Sequence, residues 1–208
     1  MNAKILIRIS TVISMLFSSI FTPLWAFIWL FFISYLKMLP LEFKIFFISI
    51  IVLFTIFIPR LGIDLYVRLH KIRKWKEYTS LHALIPFIIM IISYLLCILF
   101  LSHLHTAVFM RSIIMQAMFA EIACLILTPW QKVSFHMVGM GELLGIYTAF
   151  SFLFLFDPFW GICIILILSG LVGTSRCILQ KNTLVQQLIG FFIGLTSALY
   201  FMLETWMG

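Results

Sequence analysis

Two short stretches of this chain carry most of its chemistry: WQKVSFH at residues 130–136 and SRCILQKNTLVQQ at residues 175–187. Among their residues are the cations Lys132 and Arg176, the hydroxyls Ser134 and Ser175, the imidazole His136 and the amides Asn182 and Gln186. Lys132 and His136 are four residues apart, as are Asn182 and Gln186, a spacing that puts each pair on one face of a helix. Cations and a hydroxyl beside a helix N-terminus form a cradle for phosphate, because unpaired N–H groups and fixed positive charge both stabilise an anion there. An imidazole in such a cradle can give a proton to a leaving oxygen.

Each residue also has a plainer reading. Arg176 is open to two, site residue or half of a structural ion pair, with Glu142 as its partner or as part of the pocket wall. A lone histidine such as His136 is more often structural than catalytic. Lys71, Arg73, Lys74 and Lys76 read as side chains reaching from helix ends to the membrane interface, and His70 and His82 belong to the same loop. His103 and His105 form an H-x-H turn at the opposite end, too little to hold a metal. Glu121 is a second intramembrane acid without an evident partner in the sequence. Cys97, Cys124, Cys163 and Cys177 fall inside apolar runs without zinc or disulfide spacing. Neither a metal nor a cofactor is expected.

These residues must be positioned by membrane helices. Of 208 residues, 64% are hydrophobic and 10% charged, with a mean hydropathy of +1.20, far too apolar for one soluble domain of this length. Apolar runs cover approximately residues 9–37, 45–59, 84–104, 107–128, 134–156, 159–179 and 183–205. A crossing takes about 20 residues, and backbone groups in hydrocarbon must be satisfied internally. The expected fold is therefore all-α, a polytopic helical membrane bundle of six or seven transmembrane helices forming a single domain over 1–208. Residues 1–59 read as peripheral N-terminal helices and 84–206 as the core. The first run, about 43 Å as a straight helix, predicts a tilt or a bend at Pro23. The second is short enough either to extend past Arg60 or to be re-entrant. The basic start without a small-residue cleavage site reads as a retained first helix.

If all seven cross, eleven of the fourteen basic residues reach one face: Lys4, Arg8, Arg60, Arg68, Lys71, Arg73, Lys74, Lys76, Lys132, Arg176 and Lys181. Lys37, Lys44 and Arg111 reach the other. That bias marks the basic face as cytoplasmic, with Trp75 and Trp130 at its interface and Trp160 and Trp206 at the opposite one. The formal charge of +7 borders apolar crossings and has no nucleic-acid motif beside it, so the expected partners are membrane lipids, not nucleic acid.

On residues 130–195 the chain resembles the phosphatidic acid phosphatase type 2/haloperoxidase superfamily, particularly its small bacterial inner-membrane members. The family's third motif, S-R-x5-H-x3-D, is matched in frame by Ser175, Arg176, CILQK, Asn182 and Gln186, with the histidine and aspartate replaced. Its second, P-S-G-H, corresponds to Val133-Ser134-Phe135-His136. Its first, K-x6-R-P, has no clean counterpart; Lys76 and Pro86 lie in the region at the wrong spacing. The resemblance implies a phosphatase-like core holding a phosphorylated lipid headgroup, phosphatidate or a polyprenyl diphosphate. It places Asn182 and Gln186 where the family has its nucleophile and orienting acid, His136 as proton donor, and Lys132, Ser134, Ser175 and Arg176 as phosphate ligands. An amide nitrogen lacks a free lone pair, so Asn182 cannot attack phosphorus, and impaired catalysis is expected. A non-enzymatic lipid-binding or partner-subunit scaffold is the alternative.

Overall fold

The computed structural model describes residues 3–33, 35–69 and 84–207. Every regular element among them is helical. The order is α1 (Ala3–Leu16), α2 (Thr22–Ile33), α3 (Leu41–Val52), α4 (Ile58–Leu69), α5 (Ile85–His103), α6 (Val108–Leu127), α7 (Phe135–Phe154), α8 (Phe159–Ile178) and α9 (Leu184–Met207). Short 3-10 turns lie at Ser19–Phe21 and Tyr35–Met38, and a π turn at Leu53–Phe57 joins α3 to α4. Six helical spans are long and apolar enough to cross a membrane, and the bent N-terminal pair makes a seventh if counted as one span. Isoleucine, leucine and phenylalanine remain exposed along the outside of these helices, as lipid-facing surface requires. The chain is a helical integral membrane protein.

The last five apolar runs coincide with α5 to α9 within a few residues, because turn residues bound them in the sequence. Pro86 sits in the first turn of α5, Pro158 caps α8, and Leu155 ends α7 in the left-handed conformation at φ 51°. Of the two readings open for the second run, the extension past Arg60 is the one found: Leu41–Leu69 is one span of 29 residues. It continues past Arg60 because Leu61, Leu65 and Leu69 repeat every four residues while Arg60, Asp64 and Arg68 do the same on another face. The first run bends by 43°, but at residues 17–18. Pro23 lies in the first turn of α2, where its missing N–H would have had no helical partner.

Side chains of α2 and α3 contribute to the interior of the bundle. Phe27, Phe31, Phe47 and Ile51 are buried in the largest core cluster beside Tyr94, Cys97, Ile113 and Phe150. The sequence TPLWAFIWLFFI is apolar on all sides, and a helix of that kind is stable when surrounded by other helices.

α7 is the central helix, with α9, α8, α6, α2 and the Ser19–Phe21 turn around it. Its packing on α9 is backbone against backbone. A Cβ on Gly141 would collide with the Phe191 carbonyl oxygen, and one on Gly194 with that of Val138. A Cβ on Gly145 would stand 2.6 Å from that of Ala198. GELLG of α7 and GFFIG of α9 thus mesh with each other, the close approach that such spacing permits. This contact brings the start of α9 against the start of α7, and the Ser134 N–H donates to the Gln186 carbonyl oxygen across it at 3.2 Å.

Candidate functional site

The beginnings of α7 and α9, the end of α8 and the bend after α1 meet at one end of the bundle. Arg176 lies in the last turn of α8 and is half-buried. Its Nε and Nη2 both donate to Asn182 Oδ1, at 2.9 and 2.6 Å, and its Nη1 donates to Ser14 Oγ at 3.2 Å. Asn182 Nδ2 donates in turn to Gln186 Oε1 at 3.4 Å, and the Thr183 N–H donates to the same oxygen at 3.1 Å. Thr183 Oγ1 accepts from the Gln186 N–H at 3.4 Å, a reciprocal cap that opens α9. Gln187 closes the turn by donating to the Asn182 carbonyl oxygen at 3.4 Å and to Cys177 Sγ at 3.2 Å.

His136, in the first turn of α7, lies near the Ser14 backbone and near Arg176 and Lys181. Ser14, which accepts from Arg176, therefore stands beside both imidazole and guanidinium. Ser134 is the N-cap of α7 and fully buried, yet its hydroxyl makes no capping hydrogen bond. Ser134 Oγ and His136 Nδ1 are both buried without a hydrogen-bond partner among the described residues. Buried polar atoms are nearly always paired, so the orphaned His136 nitrogen near the half-buried Arg176 marks a place where a ligand's polar atom belongs.

Five residues singled out from the sequence, Ser134, His136, Arg176, Asn182 and Gln186, are thus joined at one end of the bundle. Lys132 is exposed, precedes the first residue of α7 and hydrogen-bonds to nothing among the described residues, so it does not share a helical face with His136. The unwound segment at residues 132–134 separates them. Ser175 is buried with its hydroxyl donated to the Leu171 carbonyl oxygen at 2.7 Å, the usual bond of a serine inside a helix. Glu142 is fully buried with both carboxyl oxygens unpartnered among the described residues, and is not the ion-pair partner of Arg176. The basic loop with Lys71, Arg73, Lys74, Lys76, His70, His82 and Trp75 lies outside the described residues.

Compared with known proteins, the chain matches no family model, no curated protein and no solved structure. Its chemistry is therefore read from its own side chains.

Sequence reasoning missed Ser14, whose hydroxyl accepts from Arg176, and Ser19, whose hydroxyl donates to Glu121 Oε1 at 3.0 Å. A signal existed. Ser10, Ser14 and Ser18 recur every four residues through an otherwise apolar run, and Ser10, Ser14 and Ser19 are buried. Hydroxyls aligned on one face of a membrane helix point to a polar surface they must contact.

Proposed function

We propose that this protein holds a phosphate-bearing lipid headgroup at the Arg176 cluster and does not turn it over through a covalent histidine. The observation that carries the proposal is the company Arg176 keeps. Its three hydrogen bonds go to neutral oxygens of Asn182 and Ser14, with no acidic partner among the described residues, so its full charge stays available near the orphaned His136 nitrogen. A guanidinium held in this way is prepared for an anion, and phosphate accepts several N–H and O–H donors at once. The resemblance to the lipid phosphatase superfamily points to the same ligand, phosphatidate or a polyprenyl diphosphate.

In this reading the protein sits in a bacterial inner membrane with the Arg176 end facing the cytoplasm, where headgroups of the inner leaflet reach it. Asn182 orients the arginine and cannot attack phosphorus, because its nitrogen lone pair is delocalised into the carbonyl. His136 could still protonate a leaving oxygen, but without a nucleophile that step has nothing to follow.

Purified protein titrated with phosphatidate should bind it, and should release no inorganic phosphate from phosphatidate or from a polyprenyl diphosphate. Arg176→Gln should weaken binding by about tenfold or more, the loss expected from removing a charged hydrogen-bonding group. Steady phosphate release would overturn the non-catalytic part. Binding that is unchanged in Arg176→Gln would overturn the site and leave a scaffold role.

A further inference from the structure

A second, largely apolar place adjoins the first through His136. A cavity of about 300 Å³ is walled by Ser18, Ser19, Glu121, His136, Phe87 and Phe135, with aliphatic side chains completing it. His136 thus belongs both to the Arg176 cluster and to this cavity. Glu121 is 1% exposed; its Oε1 accepts from Ser19, and its Oε2 has no hydrogen-bond partner among the described residues. Phe87 and Phe135 are tilted against each other at 56° with ring centroids 4.6 Å apart. Gly139 permits this arrangement, because a Cβ there would stand 3.0 Å from Ser19 Cα and push the serine turn off α7.

The chemistry of the wall selects its occupant. A buried carboxyl with a spare oxygen calls for a hydrogen-bond donor, and preferably a positively charged one, since no basic side chain among the described residues pairs with it. Glu142 lies close enough for its charge to reach Glu121, and its own two oxygens are unpartnered. The room exceeds what a bare ion needs, and paired aromatic rings favour a cation that carries carbon. A primary ammonium on a short alkyl arm meets each requirement.

His136 stands in the first turn of α7 and lines the same cavity as Glu121, so one ligand can meet both.

We infer that the bound headgroup is an aminoalkyl phosphate, its phosphate at Arg176 and His136 and its ammonium in the cavity against Glu121 and Ser19. This rests on the phosphate site proposed above and adds the identity of the phosphate's substituent. A headgroup of this kind is a phosphodiester of an aminoalcohol, as in a zwitterionic membrane lipid.

The test is native mass spectrometry of the detergent-purified protein titrated with dioleoylphosphatidylethanolamine and, separately, with dioleoylphosphatidylmethanol, which has the same phosphodiester and chains without the amine. The wild-type protein should prefer the ethanolamine lipid by at least about tenfold. Glu121→Gln should abolish the preference while binding phosphatidylmethanol within about twofold of wild type, and Ser19→Ala should reduce the preference. Arg176→Gln should weaken both lipids in parallel and leave their ratio intact. Equal wild-type affinities overturn the ammonium site while leaving the phosphate site standing, and this comparison needs no variant to fold. A preference that survives Glu121→Gln also overturns it. Failure of the wild-type protein to bind either lipid overturns both proposals.

Discussion

Asn182 Oδ1 accepts two N–H groups from Arg176, and an amide oxygen does so without cancelling the positive charge. A carboxylate in its place would cancel it. Asn182→Asp should therefore weaken phosphatidate binding about as much as Arg176→Gln, though the arginine remains, because the new acid would form the ion pair that the ligand otherwise forms. Titration of the purified variant with phosphatidate checks this, and undiminished binding would mean that the arginine's charge is not what the ligand meets. Arg176, Asn182, Gln186, Ser134 and His136 were legible in the sequence because polar side chains are conspicuous against apolar runs. Ser14 and Ser19 were not, since a serine in a membrane helix can satisfy itself on its own backbone, as Ser175 and Ser169 do. Only the fold shows which hydroxyls are donated elsewhere.

At the scale of elements, the site depends on how closely α9 lies on α7. Gly190 faces the Ser134 carbonyl oxygen, which a Cβ would approach to 2.6 Å, so the glycines that mesh the helices also fix the backbone of the site. Gly141→Leu should force the helices apart, costing about 3 kcal/mol or more, with a lower apparent Tm in detergent and loss of lipid binding. Gly170→Ala is the matched control. A Cβ there meets nothing within 4 Å, so thermal unfolding should leave Tm unchanged or raise it slightly. An unaltered Tm in Gly141→Leu would show that the helices do not touch in this way. The two G-x-x-x-G motifs could be read from the sequence, but not that they face each other, because the spacing specifies a flat helical surface and not its partner. Helix extents were legible where proline or a turn residue marked an end. They were left open where a long helix continues through charged residues, as at Arg60, Asp64 and Arg68, and misjudged where a bend has no proline.

For the whole molecule, the described helices carry Arg60, Arg68, Lys132, Arg176 and Lys181 to one end, and Lys37, Lys44 and Arg111 to the other. Trp130 and Trp160 stand exposed at opposite ends, as rings at two interfaces would. The charge bias predicts that the Arg176 end faces the cytoplasm. Lys181→Cys, in a background with Cys163 and Cys177 changed to serine, should react with an impermeant thiol reagent only after the cells are opened. Labelling of intact cells would reverse the orientation and present the site to headgroups of the outer leaflet.

The central claim is that Arg176 belongs to a built phosphate site and is more than one of many interfacial charges, and Lys132 supplies the comparison. Both are cations at the same end of the bundle, but Arg176 is half-buried and held by three hydrogen bonds, while Lys132 is exposed and held by none among the described residues. Phosphatidate binding should be measured side by side for Arg176→Gln and Lys132→Gln in nanodiscs of uncharged lipid. The account predicts a loss of about tenfold or more for Arg176→Gln and a change of no more than about twofold for Lys132→Gln. Equal losses in the two variants, or no loss in either, would contradict it.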